Sequence, residues 1–331
     1  MTSFITQKVV SSRSINQSTH HTQNISIMNI IPTLAAAAAL LILLSSAFEA
    51  AIPSRRSYIH IDNVSQQYPL KLAQRLFSSV PKREYALKDI NLKFGQNDDR
   101  VVLLTGRSAS GKSTILRLIA GLELPTSGCV SINGRTISKL TNVASRMPSW
   151  IKIGQLEDVV RPHPVIITGK PDFDDSLQVI ERIIGMGRGA LHKHENGNKL
   201  EGGDSAQLEV LAWDFAKLLG LDERCYLLPS QLSPSEQYMF SIACGCMVSA
   251  APAISSSHED DNDGGIPYPI ILLDELFDAE VASTVERCNK GMTNLINQGA
   301  IIISATHRPH YFRGMSSRVV TLSGGKVLSD K

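Results

Sequence analysis

The sequence predicts an α/β fold whose central strands are parallel, and three observations carry that expectation. VVLLTGRSASGKSTILRLIAGL passes from a buried strand, Val101 to Thr105, through a glycine-rich turn into a helix starting near Lys112. IILLDE (Ile270 to Glu275) and the run from Ile301 to Ser304 are short and continuously apolar, the pattern of strands buried on both faces. An apolar fraction of 43% with 19% charged residues describes a chain with a core and not a disordered one. The length, 331 residues, exceeds one average domain but suits a single α/β domain with insertions. A net charge of +2 gives no basic surplus that would call for nucleic acid. The five cysteines are odd in number and lack paired zinc-ligand spacing, so they read as buried or half-buried thiols in a reducing compartment.

In chain order, the first element is an apolar run. No Asp or Glu occurs before Glu49, while Lys8, Arg13 and many Ser and Thr precede Ile30 to Phe48, which is uncharged. A spanning helix needs roughly 20 such residues, so the run sits at the lower edge of membrane-spanning length. It also fits the apolar region of a signal peptide followed by small residues, Ser45, Ser46 and Ala47. SSAF at Ser45 to Phe48 resembles the Ala-Ser-Ala-Phe cleavage motif of plastid presequences in algae with secondary plastids. Met28 offers an alternative start just ahead of it. Residues 1–57 are therefore read first as a cleaved targeting sequence, pointing to an organelle such as a plastid. A retained membrane anchor ranks second. A buried core helix ranks last, because no amphipathic period or cap accompanies the run.

The glycine-rich turn matches G-x-x-x-x-G-K-[ST] at Gly106, Gly111, Lys112 and Ser113. Gly106 and Gly111 permit torsions and close approach that a Cβ would block. Between them Arg107, Ser108, Ala109 and Ser110 turn successive amides inward. With the positive helix end through Thr114, these amides hold phosphates. Lys112 supplies a point charge to the β- and γ-phosphates of ATP, and the Ser113 hydroxyl ligates Mg²⁺. Farther on, the IILLDE strand delivers Asp274 and Glu275 to the crevice at the carboxyl end of a parallel sheet.

The stretches TGRSASGKSTILRLIAGLELPTSGCVSINGR (Thr105 to Arg135) and ALKDINLKF (Ala86 to Phe94) resemble the ABC-type ATPases. The likeness runs from about Tyr58 to the C-terminus. It implies a P-loop NTPase core with a mixed β-sheet, an antiparallel β-subdomain and an inserted α-helical subdomain. The core would cover 58–155 and 266–331, and the helical subdomain about 156–254. The resemblance makes Tyr68 the aromatic that stacks on adenine, with Tyr85 as its substitute. Gln155 in WIKIGQLED becomes the glutamine that reaches Mg²⁺ and the attacking water. Asp274 would hold Mg²⁺, Glu275 would act as general base on water, and His307 in IIISATHRP would contact the γ-phosphate. RVVTLSGGKVL resembles the family's final β-hairpin, turning at Gly324 and Gly325. Its LSGG string falls after His307, on the wrong side to be the signature motif.

The signature position is LSPSEQ, Leu232 to Gln237, after a predicted helix at Leu211 to Leu219. Ser233, Glu236 and Gln237 keep the family form. Pro234 and Ser235 replace two glycines whose amides complete the ATP site of the opposite subunit in a head-to-tail dimer. Proline has no N–H, so one phosphate donor is lost, although it is comfortable in a first helical turn. Met239 stands where the family has arginine, and LFDAEVAS departs from the usual segment after Glu275. Asp278 or Glu280 would substitute only in part for the missing aspartate. Both departures lie in elements acting between subunits, which predicts sound ATP binding with hydrolysis that is slow or partner-dependent.

Two polar stretches, Gly185 to Ala206 and Ser255 to Gly265, read as surface insertions. His192 and His194 lack a third fixed ligand and read as solvated. The partners implied are a separate transmembrane permease and a homo- or heterodimeric second ATPase subunit, with no nucleic acid. The alternatives are an ATP-binding regulatory subunit with little turnover, or a soluble ABC ATPase of DNA repair or translation. The last usually carries a coiled-coil insertion or a second cassette, and neither is found.

Overall fold

β1 (Ile59–Gln67) pairs antiparallel with β2 (Tyr85–Phe94) on one side and with β4 (Ser127–Ile132) on the other. A two-residue strand, β5 (Arg135–Thr136), completes a four-stranded antiparallel sheet, ordered β2-β1-β4-β5. The computed structural model describes residues 57–68, 85–95, 99–137, 149–154, 162–168, 175–191, 202–254, 268–315 and 317–331, all within the unit Pro53–Lys331. The apolar run at 30–48, Gln155, His192, His194 and the stretch 255–265 lie outside them.

The larger sheet contains β3 (Val101–Gly106), β6 (Ile151–Ile153), β7 (Val165–Thr168), β8 (Ile270–Asp274), β9 (Ile301–Ala305), β10 (Ser317–Ser323) and β11 (Lys326–Asp330). Its order is β11-β10-β3-β9-β8-β7-β6. Strands β10 through β7 run parallel, and an antiparallel strand closes each edge. The unbroken apolar runs have a direct cause. Val102 and Leu104 of β3, Ile270 and Leu272 of β8, and Ile301 and Ile303 of β9 face a core shared with the small sheet. Their alternate neighbours Val101, Leu103, Ile271, Leu273 and Ile302 face a second core under the helices. Each fully buried Leu, Ile or Val contributes about 1.5–3 kcal/mol, so a strand buried twice tolerates no polar alternation.

The helices are α1 (Lys112–Ile119), α2 (Val179–Leu191), α3 (Gly202–Leu218), α4 (Pro234–Ala250) and α5 (Ala282–Gln298). α4 is buried on every side from Tyr238 to Ala250 and packs against α2, α3, α5 and β7. It is the centre of the helical part. The cysteines are free thiols, four of them buried, and burial pushes the Cys244 and Cys246 thiols well up. They act as small apolar packing groups.

Two sequence boundaries are corrected. The helical subdomain was expected from about 156, but Val165–Thr168 is strand β7, parallel to β8. Val165, Ile166 and Ile167 are buried, so the sheet extends this far and the helical part begins at Val179. The insertion expected at 185–206 is also shorter. α2 continues to Leu191 because Ile183, Met186, Gly187, Ala190 and Leu191 extend its buried stripe. Glycine weakens a helix by about 1 kcal/mol per residue, less than the burial of that stripe gains. α3 then resumes at Gly202 and includes the helix expected at Leu211 to Leu219 but for its last residue, and the hairpin β10–β11 turns at Gly324 and Gly325 as expected.

Candidate functional site

The loop between β3 and α1 folds back on itself because Gly106 (φ 142°) and Gly111 (φ 106°) take torsions closed to other residues. A Cβ at Gly106 would meet the Leu322 carbonyl at 2.3 Å, and one at Gly111 would meet the Ala86 carbonyl at 2.9 Å. Both sheets thus press on the loop from outside. Ala109 also lies in the left-handed region, and the Ser110 N–H closes the turn onto the Arg107 carbonyl at 3.2 Å. Gly111 is the N-cap of α1 and no side chain caps it. The first-turn amides of Lys112, Ser113 and Thr114 are therefore turned toward the loop with the positive end of the helix.

Five expected residues converge at the carboxyl ends of β3, β8 and β9. Lys112 is only 4% exposed, and its Nζ lies 3.1 Å from the Gly106 carbonyl, 3.3 Å from that of Arg107 and 3.4 Å from His307 Nε2. The Ser113 hydroxyl donates to Asp274 Oδ1 at 2.8 Å. Glu275 takes a left-handed φ of 55°, and its N–H continues the ladder onto the Ala305 carbonyl at 2.9 Å. That turn aims its carboxylate at His307, with Oε1 3.1 Å from Nε2. A proton on Nε2 satisfies the carboxylate, which leaves Lys112 bound to the loop carbonyls.

Tyr68 is 38% exposed and donates its hydroxyl to Glu123 at 2.5 Å, beside Thr114 and Arg117 of α1. It borders the helix that the phosphate loop starts. Tyr85 is exposed at the start of β2, with the Lys88 ammonium 5.7 Å from its ring centre.

Ser233 caps α4 in a reciprocal box. Its Oγ accepts the Glu236 N–H, and its own N–H donates to Glu236 Oε2 at 2.8 Å. Arg224 donates to the other Glu236 oxygen at 3.0 Å. Burial works to raise the Glu236 carboxyl, but the Ser233 and Arg224 hydrogen bonds prevail and hold it below the usual range. Pro234 fills the first helical position. Met239, in place of arginine, is buried against Gly291 of α5, so the substitution serves packing.

Gln155 lies outside the described residues, but the chain entering it is tightly held. Gly154 donates its N–H to the Ala120 carbonyl at 2.9 Å, and a Cβ there would meet Ala120 O at 2.1 Å and Gly121 O at 2.3 Å. Both obstacles are backbone, so no rotamer relieves them. Gly154→Ala is expected to cost about 1–3 kcal/mol and to lower the melting temperature by roughly 3–10 °C. Thermal unfolding monitored by circular dichroism measures this directly.

Two participants escaped the sequence reading. His163 is buried, with Nε2 at 3.0 Å from the Gly154 carbonyl and its N–H on Ser249 of α4. Glu123 fixes the Tyr68 hydroxyl. Glu123 lies in the stretch that resembles the family and His163 in none, but neither residue's type and spacing announces these contacts, so only the fold could reveal them.

A glycine-rich loop against buried β3, with a hydroxyl–carboxylate pair and a glutamate–histidine pair above it, is the arrangement of a P-loop nucleoside triphosphatase. A family model described as ABC transporter matches residues 87–254, about half of the chain. The chain belongs to the ABC transporter family, and it is an ATP-binding cassette of the ABC ATPase class.

Among curated relatives, the macrolide export ATP-binding/permease protein MacB of Pectobacterium atrosepticum is 27% identical over 261 residues, 78% of this chain and 33% of that protein. The chain thus spans about a third of the length of the macrolide export relatives. The cell division ATP-binding protein FtsE of Mycobacterium tuberculosis is 28% identical over 82% of this chain and 95% of its own length. The methionine import ATP-binding protein MetN 2 of Bacillus licheniformis is 26% identical over 79% of this chain and 64% of its own. In structure, the dimeric bacterial ABC transporter cassette MJ0796 superposes with a TM-score of 0.51 at 21% identity, covering 82% of this chain and 97% of that one. The ADP conformation of the cassette MJ1267 gives 0.53 at 14% identity over 83% and 90%. These structures share the fold.

Proposed function

We propose that this chain is the ATP-binding and ATP-hydrolysing subunit of an ABC transporter, coupling both events to transport by a separate transmembrane permease. The observation that carries the reading is the convergence of Lys112, Ser113, Asp274, Glu275 and His307 on one loop. Lys112 and the amides of residues 107–114 hold the phosphates of ATP. Ser113 and Asp274 present two oxygen donors 2.8 Å apart, a set that suits a hard divalent cation, and would hold Mg²⁺ together with Gln155. When bound, Mg²⁺ neutralises charge on the phosphate oxygens. Glu275 orients and deprotonates the attacking water, His307 donates to the γ-phosphate, and Tyr68 stacks on adenine, with Tyr85 as its alternate.

The permease enters as a partner because no described helix is long and apolar enough to cross a membrane, and because FtsE and MetN 2 are ATP-binding proteins by name. Residues 1–57 serve as a targeting sequence, plastid-directed or otherwise organellar, or as a membrane anchor. In a homo- or heterodimer, Ser233 and the N-terminus of α4 face the ATP of the other subunit.

The altered signature, with Pro234 at the first helical position, favours a second reading, an ATP-binding regulatory subunit with little turnover. The Ser233 N–H is committed to Glu236 and Pro234 has none, which thins the donors at this helix end. A charged hydrogen bond contributes about 1.5–3 kcal/mol, so the isolated chain is expected to hydrolyse ATP at least about tenfold more slowly than its Pro234→Gly, Ser235→Gly variant. Single-turnover assays on both proteins test this. Equal rates would sink the idea that the altered motif makes hydrolysis partner-dependent. Co-purification of the tagged chain with a polytopic membrane protein tests the transport assignment itself.

A further inference from the structure

The segment after Glu275 reads LFDAEV, and its side chains divide cleanly. Leu276 and Phe277 are buried; the Phe277 ring meets Tyr238 of α4 edge-on at 5.2 Å and lies 6.2 Å from Phe312. With these two pinned, the Asp278 N–H bonds back to the Glu275 carbonyl at 3.2 Å, and the turn sends the Asp278 carboxylate to the end of β9. There Oδ1 accepts the buried Thr306 hydroxyl at 2.6 Å and Oδ2 accepts the His307 N–H at 2.8 Å. The same Thr306 oxygen accepts the Arg308 N–H at 2.9 Å. One carboxylate therefore fixes three consecutive residues around the histidine.

Glu280, two residues on, ties the other end. Its carboxylate accepts the Tyr238 hydroxyl at 2.8 Å, and its carbonyl accepts Tyr311 Oη at 3.1 Å and Arg308 Nη1 at 3.3 Å. The bridge thus runs from α4, which carries the signature residues at its N-terminus, to the strand end that carries His307.

We propose that Asp278 is a positioning residue for His307: it clamps the 306–308 backbone so that the imidazole is held between Glu275 and Lys112. The proposal rests on the reading of Glu275 and His307 as hydrolytic residues. Asp278 acts through its neighbours, on the Thr306 hydroxyl and the His307 N–H. A side chain with two polar atoms suits the site because two groups, the Thr306 hydroxyl and the His307 N–H, converge on it. Serine or alanine here would leave at least one of them without a partner in a half-buried site.

The test uses the full chain with Asp278→Ala and Asp278→Asn. Asparagine keeps an oxygen for the His307 N–H and offers its NH₂ to the Thr306 oxygen, so it preserves position while removing charge. Misplacing a reacting group by about 1 Å costs on the order of a hundredfold. Asp278→Ala is accordingly expected to lower the single-turnover hydrolysis rate per bound ATP by roughly ten- to a hundredfold. The ATP dissociation constant should stay within about twofold, since the phosphate loop is untouched. Asp278→Asn should recover to within about threefold of the wild-type rate.

A wild-type rate per bound ATP in Asp278→Ala overturns the proposal, even if the variant melts earlier. So does an Asn variant as slow as the Ala variant, because position would then not be what the carboxylate supplies. Glu275→Gln, run in parallel, keeps the two readings apart. If it hydrolyses like wild type, the hydrolytic reading of the site fails whatever Asp278 does.

Discussion

Glu275→Gln is expected to lower ATP turnover by about 10²–10⁴-fold while leaving ATP binding intact, the range a positioned general base contributes. The substitution changes little else. Glutamine has the same length, keeps an oxygen toward His307, and meets the same backbone constraint at φ 55°. What it lacks is the carboxylate that accepts a proton from water. Steady-state phosphate release together with equilibrium nucleotide binding measures both halves of the prediction. Retained binding with lost turnover identifies an enzyme. Unchanged turnover would move the protein toward the nucleotide-sensing reading.

Lys112→Ala is expected to weaken ATP binding by a factor of about ten to a hundred, since a hydrogen bond to a charged group contributes about 1.5–3 kcal/mol. The ammonium is buried and already seated against the Gly106 and Arg107 carbonyls, so it approaches the phosphates with little side-chain freedom left to lose. Arginine is not a substitute, because its planar fork does not fit where a compact point charge is seated. Binding of a fluorescent ATP analogue, competed with ATP, gives the ratio. An affinity within twofold of wild type would show that the loop binds its ligand without this charge.

The two expectations differ in what they depend on. Lys112 is seated on the carbonyls of its own loop, which both sheets press on from outside. Glu275 needs β8, β9 and the 306–308 turn in register, because its N–H is anchored on Ala305 and its carboxylate on His307.

Much of this was legible in the residues. The phosphate loop is local: Gly106, Gly111, Lys112 and Ser113 occupy one turn, and their spacing alone specifies the conformation that holds phosphate. The buried strands were legible because a strand covered on both faces must be apolar throughout, as Val101 to Leu104 and Ile270 to Leu273 are. α2 misled because Gly185, Gly187 and Gly189 signal a loop when read singly, while the stripe through Met186 and Ala190 becomes visible only with α4 beside it. β7 was missed because four apolar residues are too few to declare a period until β8 pairs with them.

The sequence by itself determined the chemistry within one segment: the loop, the acidic strand end, the histidine after its strand and the loss of an amide at Pro234. Each is set by residue type and short spacing, which the chain carries from the start. Only the tertiary structure decided which of these meet. It placed Ser113 on Asp274 and Glu275 on His307, and it gave Asp278 the task of holding the histidine's backbone. Those pairings join residues far apart along the chain, and nothing local encodes them. They exist because two cores fix β3, β8 and β9 side by side and bring their ends to one edge.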